Sequence, residues 1–239
     1  MFHRKCLNFI QTFVIYKLSI IKNSDMSVHD INTIISTIKR CNFQMFEVSK
    51  DEMNEYTINN KSATYYSARA QEYIICNVLN NMLPSHLYCY PVMKYLKLKK
   101  YQYTPWRESR LGDIIIVDKS SANLDAVCCL EIKVADDGEH PFCHVKNRYF
   151  VGCINQTSYN NFAMNTTGKP RVVPHLYLCL SYEGSEFVII DSSRLVECVE
   201  RCKTQGEKVF SFGGYDENGK PTYYIQSYYI FNHESEVCV

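Results

Sequence analysis

GDIIIVDKSSANLDAVCCLEIKV, residues 112–134, is the stretch whose reading decides the fold. Gly112 to Asp118 is β-branched and apolar almost throughout, the composition of a strand buried on both faces. The polar segment Lys119 to Asp125 supplies a loop, and Ala126 to Val134 reads as a second strand. Three charged residues, Asp113, Glu131 and Lys133, stand where a core strand should have none. Side chains two residues apart on a strand share a face, so Glu131 and Lys133 project together. An antiparallel neighbour can bring Asp113 to the same end. Two carboxylates and an ammonium converging at the edge of an apolar sheet are costly unless compensated, and a divalent cation held by the carboxylates would compensate them.

The pattern D-x17-E-x-K resembles the signature of the PD-(D/E)XK nucleases. Glu131-Ile132-Lys133 is the only (Asp/Glu)-x-Lys triplet of the chain, and it falls inside an apolar strand. The signature's leading proline is absent, since Leu111-Gly112 precede Asp113. Asp113 and Glu131 are hard oxygen donors suited to Mg²⁺, with Mn²⁺ able to substitute. The resemblance implies that the backbone carbonyl of Ile132 adds a ligand. Lys133 would orient the attacking water or offset developing negative charge.

Outward from this stretch, the order of elements follows the same family. Ser62 to Leu83 reads as a helix closed by Pro84, with Ile74, Cys76, Leu79 and Met82 on its buried side. Glu72 lies among those apolar residues with no basic partner four residues on. It is either a solvated helix-face glutamate or, as the resemblance implies, a further carboxylate of the site. Tyr88 to Leu98 reads as a strand that Pro91 assigns to an edge or a bulge, and Tyr101 to Arg110 as a loop rich in aromatic and basic residues around Trp106. Ala135 to Asn147 is polar. Arg148 to Met164 then has Phe150, Val151, Ile154, Tyr159 and Phe162 at helical spacing, and His175 to Tyr182 is a strong strand. A strand, crossover helix and strand give a right-handed parallel unit. The expected fold class is therefore α/β, with a restriction-endonuclease-like αβββαβ core whose mixed central sheet is flanked by helices. In the RecB-like branch this second helix carries a glutamine and a tyrosine separated by three residues. Here Gln156 and Tyr159 are separated by two, and Asn160 holds the expected place.

Beyond the core, Glu186 to Asp191 reads as a strand and Ser192 to Cys202 as a helix with Leu195, Val196, Val199 and Cys202 in its apolar stripe. A C-terminal β-hairpin follows, turning at Asp216-Glu217-Asn218-Gly219 with type I′ geometry. Its second strand, Pro221 to Phe231, offers tyrosines to strand packing, a dimer surface or a DNA groove. Upstream, Ser27 to Cys41 has isoleucines at helical spacing and should pack on the core. Residues 1–25 favour a helix over a signal peptide, since Lys17 interrupts the apolar run and no small-residue cleavage site follows; Met26 is an alternative start. The division is a helical extension, 1–61, packed on a nuclease-like domain, 62–239.

A formal charge of +1 argues against a binder of nucleic acid that depends on total charge, though not against a local basic cleft. The 12 cysteines form no C-x-x-C pair and read as reduced, buried small hydrophobes of an intracellular protein, cytoplasmic or nuclear. His140, Cys143 and His144 cluster but lack a clear fourth zinc ligand. No stretch reads as a membrane span.

Together these readings lead to a Mg²⁺-dependent deoxyribonuclease acting on duplex DNA and leaving 5′-phosphate ends, as the resemblance implies. A compact standalone chain is most similar to a homodimeric Type II restriction endonuclease. A viral exonuclease, a recombination or repair nuclease, and an inactive nucleic-acid-binding module are the alternatives. Catalysis would fall to Asp113, Glu131, Lys133 and Glu72, and contacts to DNA to Arg107, Arg110, Lys146, Arg148 and Gln156.

Overall fold

In the computed structural model of the protein the described residues are 30–43, 63–102, 104–134, 154–164, 173–180, 187–216, 218–226, 230 and 233–239. Residues 30–38 form α1, and Ala63–Met82 forms α2. Strand β1, Leu87–Pro91, runs into helix α3, Val92–Leu98, and helix α4 spans Pro105–Leu111. The quoted stretch supplies β2, Ile114–Asp118, and β3, Asp125–Val134. Helix α5 opens as an α-turn, Gln156–Ser158, and continues as a π-helix, Tyr159–Ala163. Strands β4, His175–Leu180, and β5, Phe187–Asp191, precede α6, Ser192–Thr204. A hairpin of β6, Phe210–Tyr215, and β7, Pro221–Ile225, and a short helix α7, Glu234–Val237, complete the fold.

The five-stranded sheet has the order β1-β2-β3-β4-β5. Only β3 and β4 run parallel; the other neighbours are antiparallel. This is the mixed α/β sheet expected from the sequence. Ile114 to Val117 are fully buried, because β2 is covered on both faces. On one face Ile114, Ile116, Cys128, Leu130 and Leu178 pack against Ile34 and Ile38 of α1 and Ile75 and Leu79 of α2. On the other, Ile115, Val117, Cys129 and Tyr177 pack against α3, α5, α6 and the terminal hairpin. The expected packing of the 27–41 helix on the core is thus present in its described part. Because Ile132 belongs to the first face, the alternation of β3 sends Glu131 and Lys133 to the second.

Three readings change. The expected strand 88–98 stops at Pro91, whose ring removes a ladder donor. Val92, Tyr95 and Leu96 are then buried at helical spacing as α3. The edge position expected of Pro91 holds, since β1 is the sheet's first strand. The aromatic and basic segment is helical from Pro105 onward, because Thr104 caps α4 by accepting from the Arg107 N–H and Pro105 sits in its first turn. The terminal hairpin does not turn as type I′. Among its described residues the left-handed one is Gly219, φ 74°, and Asp216 Oδ1 instead accepts from the N–H groups of Asn218 and Lys220. Eight of the nine described cysteines are buried, and all nine are free thiols. No described helix is long and apolar enough to cross a membrane.

Candidate active site

Gly112 begins the site. Helix α4 ends on it, and its φ of 77° lies in the left-handed region. The turn lays the chain against β3 so closely that a Cβ would meet the Leu130 carbonyl oxygen at 2.5 Å and the Phe162 ring at 2.7 Å. Proline, held near φ −65°, cannot adopt this turn.

Asp113 follows directly, one residue before β2. Its N–H donates to the Leu130 carbonyl at 2.9 Å, and its carbonyl accepts from Val92 N–H at 2.8 Å. Its side chain carries the sheet one step further. Oδ2 accepts from the Ile132 N–H at 2.8 Å, taking the place a backbone carbonyl would hold if β2 began earlier. A strand residue presents its N–H and C=O to the same neighbour, so the Ile132 carbonyl faces the Asp113 side of β3. Across the sheet, Glu131 is paired in register with Tyr177 of β4. Nζ of Lys133 lies 2.6 Å from Oε1 of Glu131, a half-buried ion pair between neighbours on one strand face. The hairpin and the alternation of β3 therefore bring Asp113, Glu131 and Lys133 together.

Ser158 joins them without having been foreseen. Its hydroxyl donates to Glu131 Oε1 at 3.1 Å and lies 3.3 Å from the Tyr177 hydroxyl, giving a buried polar chain from β4 through α5 to β3. Asn155 fixes the first turn of α5 by accepting from the Ser158 N–H at 2.7 Å. Gln156, expected to contact DNA, and Tyr159 lie in different surroundings on this helix. Gln156 is exposed. Tyr159 is fully buried and donates its hydroxyl to Glu200 on α6 at 3.0 Å. The sequence signal for Ser158 was slight, an Asn-x-x-Ser capping pair at the start of a short helix.

Glu72 is 5% exposed, not a solvated helix-face residue. Its missing partner lies three residues before it: Nη1 of Arg69 donates to both Glu72 carboxylate oxygens, at 2.7 and 2.8 Å. The other Arg69 terminal nitrogen bonds Glu108 of α4. Arg69 thus ties α2 to the helix that leads into Asp113.

Electrostatics follow from this crowding. Burial and the neighbouring Glu131 charge push the Asp113 carboxyl up to about 7, against the pull of Lys133 and the Ile132 N–H. Burial, then the charge of Asp113, raises Glu72 well above the carboxylate range, although Arg69 opposes both. Burial would lower the Lys133 ammonium, but the Glu131 and Asp113 carboxylates hold it above its ordinary value. Lys133 is therefore a fixed cation.

Two of the basic residues expected to meet nucleic acid, Arg107 and Arg110, lie on α4. Arg107 is half-buried, donates to the Gln102 carbonyl at 2.6 Å and lies over the Tyr101 ring. Arg110 lies over the Trp106 ring, its charged group 4.8 Å from the ring centroid, and Trp106 is exposed. Lys146 and Arg148, and the cluster His140, Cys143 and His144, lie outside the described residues. Comparisons with models of protein families, with curated proteins and with solved structures return no match for this chain.

Proposed function

We propose that the protein is a metal-dependent nuclease of the PD-(D/E)XK type, hydrolysing phosphodiester bonds in duplex DNA. The observation that carries this reading is the meeting of Asp113, Glu131 and Lys133 at the β2–β3 edge, in a mixed sheet with the succession α2, β1, β2, β3, α5, β4. Short helices α3 and α4 are inserted between β1 and β2 and deliver Asp113 to the edge.

The donor set fits a hard divalent cation. Two carboxylates share one ammonium, and Asp113 is destabilised as an anion by burial and by Glu131. Asp113, Glu131 and the Ile132 carbonyl would hold Mg²⁺ or Mn²⁺. Such an ion polarises a phosphate and lowers the pKa of bound water. Lys133, held cationic by Glu131 and Asp113, would offset charge developing on the phosphate. Ser158 holds Glu131 in orientation through Oε1. Arg107, Arg110 and the exposed Trp106 offer a phosphate and stacking surface on the helix that ends at the site. A Type II-like homodimer cutting at discrete positions is the primary form of this reading, and a recombination, repair or viral exonuclease the second.

The 2.6 Å contact of Lys133 with Glu131 favours one rival, in which the charged residues form a structural ion pair and the chain only binds nucleic acid. Supercoiled plasmid and linear duplex incubated with Mg²⁺ or EDTA separate the readings. The nuclease gives Mg²⁺-dependent products with 5′-phosphate ends. Asp113→Ala and Lys133→Ala lower the rate by at least about 100-fold while remaining folded. Discrete fragments indicate the site-specific form, and degradation from ends the exonuclease. Intact DNA after incubation with folded wild-type protein overturns the proposal.

A further inference from the structure

A second cluster lies between α6 and α7, remote in sequence from the carboxylates. Cys198 and Cys202 are four residues apart on α6 and share its buried face; they are 4% and 1% exposed. His233, at the start of α7, turns its ring toward them: Nε2 lies 3.8 Å from Cys202 Sγ, and the three potential ligand atoms all lie within 4.8 Å of one another. We propose that Cys198, Cys202 and His233 form a zinc site that fastens α7 and the C-terminal residues onto α6.

The geometry is close to what the ion requires. Zn–S and Zn–N bonds of about 2.3 and 2.0 Å at tetrahedral angles put sulfur and nitrogen about 3.5 Å apart, so small movements admit the ion. The ring is already oriented for it. His233 Nδ1 lies 2.8 Å from Glu236 Oε1. With the ring proton on Nδ1 donated to that carboxylate, the lone pair of Nε2 faces the sulfurs, the arrangement in which a carboxylate sets the tautomer of a ligating histidine. Arg201 pairs with Glu236 Oε2 at 2.7 Å and places an N–H donor 3.7 Å from Cys198 Sγ, where it would support a thiolate. Two thiolates neutralise the ion, and Arg201 and Glu236 neutralise each other. Leu195, Val199, Ile230 and Val237 line the same recess and keep it apolar. Binding releases the two thiol protons, and a fourth position remains for water or another donor.

The role follows from what α7 lacks. A four-residue helix has no stability of its own. Yet the residues after it bond β5, Val239 N–H donating to the Ile189 carbonyl at 3.1 Å and Cys238 bridging Ile190. A metal clamp at His233 would hold this return along the sheet edge in place.

The test uses the reduced, full-length protein titrated with Co²⁺ alone. One equivalent should produce sulfur-to-cobalt charge-transfer absorption with tetrahedral d–d bands, and Zn²⁺ should bleach both. Glu236→Gln, a surface change, should weaken Co²⁺ binding by about 10–100-fold. His233→Cys should retain binding with stronger charge-transfer absorption, while Cys238→Ser leaves the spectrum unchanged. Cobalt at the carboxylates would give no thiolate band, so failure at one site does not report on the other. The proposal is overturned if folded wild-type protein shows no thiolate band, or if the band survives undiminished in the Cys198→Ser/Cys202→Ser double variant.

Discussion

Asp113 is the residue on which both the site and the pH response turn. Its carboxyl titrates near 7 in the fold because burial and Glu131 oppose its charge, whereas in the unfolded chain it titrates near about 3.9. The folded state therefore binds the proton more tightly, and the stabilisation is complete below about pH 4 and lost as pH rises through about 7. Denaturant unfolding of metal-free protein should show this decline between those limits, and Asp113→Asn should flatten it; parallel curves for the two proteins would count against the assignment. Divalent-cation affinity should run the other way, rising about tenfold per pH unit below about 7 as the proton is displaced. The sequence revealed the Asp, Glu and Lys of this site because charge inside an apolar strand is visible in one dimension. It did not reveal Ser158, since the Asn155 capping pair marks a helix start and not a serine that meets Glu131 across 27 residues.

At the level of elements, Arg69 is the join between α2 and α4, with Glu72 on its own helix and Glu108 on the other. Removing a buried cation leaves its partners uncompensated, so Arg69→Met should cost about 3–5 kcal/mol in urea unfolding at pH 8. The loss should shrink as pH falls, since burial raises Glu72 and its protonation removes one uncompensated charge. Adding Glu72→Leu should restore part of it, and a cost independent of both pH and Glu72 would dispose of the coupling. The helical pattern offers Glu72 no basic partner four residues ahead, and the fold uses one three residues behind. Similar limits explain α3 and α4. The run from Tyr88 to Leu98 satisfies strand and helix patterns alike until Pro91 ends pairing, and Thr104-Pro105 were capping signals concealed by an aromatic and basic composition.

At the scale of the molecule, the candidate carboxylate site joins β2, β3 and α5, so an ion bound there stabilises the whole sheet edge. Mg²⁺ at about 100 times its dissociation constant adds roughly 2.7 kcal/mol, or about 5–10 °C in the thermal midpoint of a chain this size. Differential scanning fluorimetry should show that rise in wild-type protein and none in Asp113→Ala; equal shifts in both would remove the ion from this site. The strands, the edge position of β1, the parallel crossover and the three charged residues of the central hairpin were legible in local pattern, because burial repeats every two or 3.6 residues and an ionisable group breaks the repeat. Folding in three dimensions decided the partners: Ser158 for Glu131, Arg69 for Glu72, and His233, 35 and 31 residues away, for Cys198 and Cys202. Such partners are chosen by distance across packed elements, and periodicity along the chain carries no record of that distance.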